Sequence, residues 1–583
     1  MAVVAATRWA WVLIANAGRG LDVSDEAYYL LSAWRPSTTR ATASDFGFYL
    51  RPVLWLSGGS LRWFRVAGMV LVLVACAGAA FAAITGSDSD RRTSKSQRAA
   101  ALLGATALVS ATTLTYYGRW LPTPSYNLLN LVLMLLVAGC LTAGSRTLAQ
   151  LHETGIAVAG PRLRDLWPLS ALGALLVFGS TIKASSYLAA TLVCAVCLAV
   201  VAGRHVVPAV RAAFVGAVAG LVVHWGLIAG APASDLRRLR RGVEALGLLE
   251  SHSASQVWET DFLVDTVAPW FAVWGLGVLL IVAVWRVVRS PAVRSLVVVS
   301  SASLTFVLMW DGRPRGGAAL LSDATGWWWV RLGAVTLVWI SALAPRPSRL
   351  LVVGPCVALL GVAASVGSNI GVVRQIGMSA GVIGLGVLIQ AVGVVGMMDR
   401  SHIRSLAAVP GALFFVLASV ASSGAVDDAL ADPYRLGAPL AESNERIELG
   451  RFGPVEVTPS LASYFTGLQA LSGELSDEQR GCLIDLTGGT PISAIALDAR
   501  PAGFAWLLGG YAGSADAADY WLSLDDCVTG PITLLEAPGG ERSIRRPPWL
   551  SERSFRVVGE VAFNGYLDEL QVLSVTTDNG DGE

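Results

Sequence analysis

The sequence predicts an all-α polytopic membrane protein of about thirteen transmembrane helices, followed by a soluble C-terminal domain of mixed α/β type. Three observations carry this reading. Apolar runs of bilayer-spanning length recur along the first 425 residues. Of the 583 residues, 54% are hydrophobic and only 15% charged, with a mean hydropathy of +0.58, a balance that a water-soluble chain of this length rarely keeps. Beyond residue 425 the apolar runs stop, and β-branched stretches such as "GPVEVTP" alternate with Gly/Pro turns such as "LTGGTP" and "EAPGGE".

Hydropathy places the spans near residues 2–18, 64–85, 99–115, 127–144, 166–182, 185–203, 212–230, 266–286, 295–310, 327–344, 350–366, 377–398 and 404–422. No basic leader with a small-residue cleavage site precedes the first span, so it is expected to stay, with Arg8 snorkelling or turned toward the bundle. If the spans alternate, the basic loops at 90–98, 286–294, 345–349 and 399–404 share one side. The positive-inside rule makes that side cytoplasmic. The chain then divides into a membrane domain, 1–425, with a long first outer loop at 19–63, and an extracytoplasmic soluble domain, 426–583. Lys95 and Lys183 are the only lysines, an arginine bias that fits a GC-rich bacterial genome. The formal net charge of +1 names no partner, and no nucleic-acid partner is expected. No repeat of 20–50 residues is visible, which counts against an inverted-repeat transporter.

Cys482 and Cys527 fall in the extracytoplasmic domain and are expected to form a disulfide; the other five cysteines lie in spans. Cys194-Ala-Val-Cys197 sits mid-span among small apolar residues and reads as helix packing rather than as a metal site. The histidines (152, 205, 224, 252 and 402) are scattered without paired-ligand spacing, so a zinc site is not expected.

The first outer loop holds "GLDVSDEAYYLL", residues 20–31. Ser24 can N-cap a short interfacial helix over 23–33, with Asp25 and Glu26 in the first turn, where the helix dipole favours negative charge. Carboxylates there are also the usual choice for deprotonating a hydroxyl or stabilising cationic character at a sugar's anomeric carbon. Both readings stay open on these residues alone.

An Asp-Glu pair followed by an aromatic, in the loop after the first span, resembles the GT-C superfamily of membrane glycosyltransferases. That superfamily includes the protein O-mannosyltransferase and lipid A aminoarabinose transferase families. "SDEAYY" (24–29) maps onto their acidic motif, and "DFGFYLRP" (45–52) resembles the aromatic-Pro stretch before the second span. The resemblance implies a polyprenyl-phosphate-linked sugar donor and an active site open to the outer face of the cytoplasmic membrane. It makes Asp25 the general base, Glu26 its helper and Asp45 part of the acceptor site. The acceptor is an envelope glycan, lipid or protein. A divalent metal is a possible cofactor, and no other is expected.

The donor phosphate needs cations near the headgroup level, for which Arg119, Lys183 and Arg374 are candidates, with Tyr126 and the Ser368 and Asn369 of "GSNIG" beside them. Each can instead snorkel, pair with an acid or form a tight connection between helices. Trp506 and Tyr511 are candidates for stacking on an acceptor sugar, although aromatics in such a domain are more often core. "RRLRRGVEALGLLE" (237–250) reads as a basic amphipathic helix lying on anionic headgroups, or closing over the donor, and "GWWWVR" (326–331) as an interfacial belt. A transporter or flippase for a lipid-linked or envelope glycan is the alternative and predicts a polar path across the midplane. A non-catalytic envelope scaffold is a further one.

Overall fold

The computed structural model describes residues 1–85, 94–153, 163–249, 325–344, 348–367, 375–398, 401–489, 491–537, 540, 542–564 and 570–578. Six of its helical stretches are long and apolar enough to cross a bilayer: Leu61–Ile84, Lys95–Tyr117, Tyr126–His152, Ala184–Ala229, Gly377–Gly396 and Ala408–Ala431. The shorter apolar helices Ala2–Ala15, Trp167–Ile182, Trp328–Ser341 and Arg349–Ala363 stand among them. The chain is a multi-pass membrane protein. The expected spans at 266–286 and 295–310 lie outside the described residues.

In chain order the helices are α1 (Ala2–Ala15), α2 (Asp25–Trp34), α3 (Phe46–Leu56), α4 (Leu61–Ile84), α5 (Lys95–Thr113), α6 (Tyr126–Glu153), α7 (Trp167–Ile182), α8 (Ala184–Ala202), α9 (Val206–Val223) and α10 (Pro232–Gly247). After them come α11 (Thr325–Ala342), α12 (Val353–Ala363), α13 (Ala380–Gly396) and α14 (Ser401–Ala431). The last of these runs to Ala431, six residues beyond position 425. Arg8, awkward in an apolar first span, is turned toward the bundle. Its guanidinium donates to Ser423 O at 2.9 Å and forms an ion pair with Asp427 of α14. The 46-residue stretch Ala184–Ala229 contains two of the expected spans, turned at Gly203 with φ +52°. The last turn of α9 widens into a π-helical turn, His224–Ala229.

Small residues decide how α7 meets α9. A Cβ added at Gly216 would fall 1.7 Å from Ser170 O, and one at Gly173 would fall 1.9 Å from Ala213 O. Only glycine permits so close a backbone approach, the usual way to pack helices when lipid gives no hydrophobic drive between them. Gly216→Leu is therefore expected to lower the yield of monodisperse detergent-purified protein severalfold, whereas Gly226→Leu, where a side chain meets nothing within 4 Å, leaves it unchanged. Size-exclusion chromatography of the two variants checks this.

The C-terminal unit mixes sheet and helix. Strands β1 (Glu445–Glu448) and β2 (Pro454–Val457) form an antiparallel pair with Glu445 opposite Val457. Strands β3 (Leu483–Asp485), β4 (Thr533–Glu536), β5 (Phe555–Asn564) and β6 (Leu570–Asp578) form a sheet in the order β3-β4-β6-β5, parallel only between β3 and β4. Helices α15 (Pro459–Ser472), α16 (Ile492–Ala496) and α17 (Ser514–Ser523) cover it. Cys482 and Cys527 are joined in a disulfide with a Cα–Cα separation of 5.5 Å.

This unit packs directly on the first loop. Gly20 N–H donates to Glu456 O and Glu456 N–H to Gly18 O, both at 2.8 Å, and Ile492 N–H donates to Val23 O at 3.2 Å. Gly20 sits at φ +67°, and a Cβ there would lie 2.7 Å from both Leu436 and Leu440, so the chain turns here only because the residue is glycine. Loop 19–63 and the C-terminal unit therefore share one face of the helical bundle.

Candidate active site

Helix α2 starts at Asp25, but its cap is not the one expected. Ser24 holds the N-cap position, yet its hydroxyl donates to both carboxylate oxygens of Asp22 at 3.0 Å. Asp22 itself accepts the N–H of Asp25 at 2.6 Å and that of Glu26 at 3.4 Å. A carboxylate outcompetes a hydroxyl for these orphan donors because the charge strengthens each hydrogen bond. Burial, and then the charge of Asp25, pushes the Asp22 carboxyl up to about 7.

The adjacent acids of the motif then part company. Glu26 is 2% exposed and turned into the bundle. The Arg65 guanidinium of α4 holds both its oxygens, at 3.0 and 2.9 Å, and the N–H groups of Thr123 and Asp22 donate to it at 3.1 and 3.0 Å. Arg65 spends its other donors on Thr123 Oγ1 and the carbonyls of Ala17, Arg19 and Gly20, all within 3.1 Å. One ion pair thus pins the first loop, α4 and the 121–125 connection together.

Asp25 keeps 21% of its side chain exposed and meets Arg435 Nη1 at 2.9 Å, with the Tyr29 hydroxyl 3.5 Å from its other oxygen. Arg435 also donates to Ser24 Oγ at 2.7 Å. Burial raises the Asp25 carboxyl above its ordinary value, while the Arg435 charge and the Tyr434 and Tyr29 hydroxyls pull it back. Around it stands an aromatic wall from three helices and the C-terminal unit. Tyr29 lies 6.0 Å from Tyr126 and 5.9 Å from Phe46 between ring centroids, and Tyr28 lies 5.5 Å from Phe504 and 6.2 Å from Trp506. Tyr126, expected at the donor phosphate, and Trp506, expected at the acceptor, are therefore both part of one wall. The Trp506 indole N–H donates to Gly488 O at 3.0 Å, so its ring is held in place. Tyr511 sits partly buried just before α17, its N–H donating to Ser514 Oγ at 3.1 Å.

The expected cations are distributed differently. Arg119 is exposed, and its carbonyl accepts the N–H of Tyr434 at 2.9 Å, which brings it beside Arg435. Lys183 is 7% exposed at the break between α7 and α8, and its ammonium donates to Ala364 O at 3.0 Å. That carbonyl closes α12, so a cation there meets the negative end of the helix dipole. Arg374, Ser368 and Asn369 lie outside the described residues. The cation that does meet Asp25, Arg435, was not singled out from the sequence. Its only signal is the turn composition of "DPYRLG" just past the last span, where Arg435 adopts φ +56°.

Asp45, expected at the acceptor, is 1% exposed at the N-cap of α3. Arg238 of α10 donates to its Oδ1 at 2.6 Å and also pairs with Asp235, while His224 Nε2 lies 3.5 Å from its Oδ2. Helix α10 covers most of the stretch read as basic and amphipathic. Arg238 points inward to this cluster, and Glu244 accepts from the Tyr520 hydroxyl of α17 at 2.7 Å.

The chain is similar to the Archaeoglobus fulgidus oligosaccharyltransferase, solved tethered to an acceptor peptide. That likeness has 12% identity and a TM-score of 0.45, and it covers 91% of this chain and 68% of that one. It is also similar to ArnT from Cupriavidus metallidurans. Against the apo form the identity is 12% and the TM-score 0.37, covering 98% of this chain and 97% of that one. Against the form bound to undecaprenyl phosphate they are 13% and 0.39, covering 98% and 96%. No family model matches the chain, and no curated protein does.

Proposed function

We propose that the protein is a membrane glycosyltransferase that moves a sugar from a polyprenyl-phosphate donor to an extracytoplasmic hydroxyl acceptor, with Asp25 as general base. The observation that carries this is the placement of Asp25. It is a largely buried carboxylate at a helix N-terminus, backed by the Arg435 guanidinium, inside an aromatic wall on the face where the C-terminal unit docks. Burial lifts its basicity toward the working pH, which improves a general base. The first-loop resemblance to the GT-C superfamily supports the same reading.

In this mechanism the acceptor hydroxyl binds beside Asp25 and loses its proton to it while the sugar's anomeric carbon leaves the donor phosphate. Arg435 and Arg119 are the described cations best placed to receive the charge that the departing phosphate gains, a role in which preorganised donors matter most. Glu26 positions Asp25 through the Arg65 clasp and the start of α2. Trp506 and Tyr28 offer ring faces to the acceptor. A cytoplasmic-membrane location with the C-terminal unit on the outer side belongs to the same reading and is supported by the distribution of basic loops.

Transfer of radiolabelled sugar from lipid donor in isolated membranes tests the reading, since a chain that produces no covalent product with any lipid-linked donor is not this enzyme. Arg435→Gln gives a second readout. Arg435 holds the Asp25 carboxyl down against burial, so its loss raises that pKa further. The base form is then lost at higher pH, and the acid limb of the pH–rate profile moves upward. An unmoved acid limb contradicts the assignment of Asp25 as base.

A further inference from the structure

A second cluster of titratable side chains lies beside the aromatic wall, where Asp45 of α3, His224 at the end of α9 and Asp235 of α10 converge, all buried. One ligand atom from each, an imidazole nitrogen and two carboxylate oxygens, lies within 4.8 Å of the others. His224 Nε2 is 3.0 Å from Asp235 Oδ2 and 3.5 Å from Asp45 Oδ2. Ligand atoms around a tetrahedral zinc ion, with bonds of about 2.0–2.1 Å, are roughly 3.4 Å apart.

The surroundings orient these atoms. The Arg238 guanidinium takes the outer oxygen, Oδ1, of both aspartates, which leaves both Oδ2 atoms turned to the imidazole. On the far side of the ring, Nδ1 is 2.8 Å from the Tyr49 hydroxyl. The Thr181 hydroxyl spends its proton on Phe178 O at 2.8 Å and so accepts from Tyr49 at 3.0 Å. Tyr49 is then an acceptor toward His224, which puts a proton on Nδ1 and directs the Nε2 lone pair at two carboxylate oxygens. That is the arrangement by which an outer hydrogen bond fixes the tautomer of a metal-ligating histidine.

Three lone-pair-bearing atoms facing each other need something positive between them. A proton on Nε2 serves Asp235, which the Trp225 indole N–H also reaches at 3.1 Å. It leaves Asp45 Oδ2 buried and, among the described residues, without a hydrogen-bond partner. Such an orphan is costly. A metal ion satisfies all three atoms at once.

We propose that Asp45 Oδ2, His224 Nε2 and Asp235 Oδ2 bind one divalent transition-metal ion of the zinc class. The ion clamps α10 onto the first outer loop. Phe46, next to Asp45, belongs to the aromatic wall, and α10 reaches the C-terminal unit through Glu244 and Tyr520. The clamp therefore holds one side of the aromatic wall around Asp25, yet the site stands on its own ligands and survives failure of the glycosyltransferase reading.

The test uses the full-length protein purified in detergent, stripped with a chelator, reloaded with zinc chloride, desalted and assayed for zinc by mass spectrometry and for melting midpoint by tryptophan fluorescence. The wild type is expected to keep about one zinc per chain and to melt several degrees higher than its stripped form. His224→Gln and Asp235→Asn are expected to drop retained zinc at least tenfold. Tyr49→Phe, which leaves all three ligands in place, weakens zinc affinity about tenfold. Joint alanine replacement of Cys194, Cys197 and Cys356, three of the five free cysteines, leaves the stoichiometry unchanged. Wild-type protein that retains less than a tenth of an equivalent and shows no shift on heating overturns the proposal. So does zinc that stays in the His224→Gln variant or leaves with the cysteines.

Discussion

Asparagine at position 25 is expected to lower the rate of sugar transfer by about 10²- to 10⁴-fold, the range that a lost general base costs, at unchanged protein abundance. The substitution is nearly isosteric, and the fold gives it little to break. What starts α2 is the backbone N–H of Asp25 bonding to Asp22, not the Asp25 side chain. An amide oxygen still accepts from Arg435, so the loop keeps its place. What disappears is basicity, because an amide cannot take the acceptor's proton. In the proposed mechanism cations rather than this carboxylate hold the donor, so the loss belongs in kcat more than in the KM for lipid donor. Membranes carrying Asp25→Asn protein at wild-type levels, assayed with labelled donor, give the answer. Transfer within a factor of a few of wild type removes Asp25 from the chemistry, whatever its surroundings.

The contrast between Asp25 and Glu26 marks where a sequence stops being readable. The apolar helices were legible because hydrophobicity is a local property: a run of Leu, Val and Ala announces a span without reference to anything distant. The acidic pair was legible as a motif, but neighbouring positions on a helix point about 100° apart, and nothing local says which of the two faces the aromatic wall. Arg65 and Arg435 decide that, and Arg435 reaches Asp25 across 410 residues of sequence. The cap on α2 shows the same limit at short range. Ser24 has the right identity and position, yet Asp22, two residues earlier, folds back and takes the donors. The Asp45–His224–Asp235 cluster was invisible to spacing rules because each ligand comes from a different helix. Sequence patterns find metal sites whose ligands share an element, and miss those that tertiary packing assembles.

Breaking the Glu26–Arg65 pair is expected to have the largest effect on stability of any single change at the junction of the first loop and α4. Both side chains are at most 2% exposed, and leaving either charge buried alone costs about 3–5 kcal/mol. Arg65→Met should be the worse of the two singles, because it strands the carboxylate and also withdraws donors from the carbonyls of Ala17, Arg19 and Gly20. Glu26→Gln keeps the shape and two acceptor sites on oxygen, and loses the charge that Arg65 needs. Adding Glu26→Gln to Arg65→Met should then restore part of the loss, since the buried negative charge goes with it, while the three carbonyls remain unserved. The expected order of melting midpoints in detergent is wild type, then Glu26→Gln, then the double variant, with Arg65→Met lowest. A positioning role makes a second demand: Glu26→Gln protein that stays folded at the assay temperature should keep most of its transfer per folded molecule, unlike Asp25→Asn. If Arg65→Met melts where wild type does, the pair is not a staple. The separate fates assigned to the two acids then lose their structural basis.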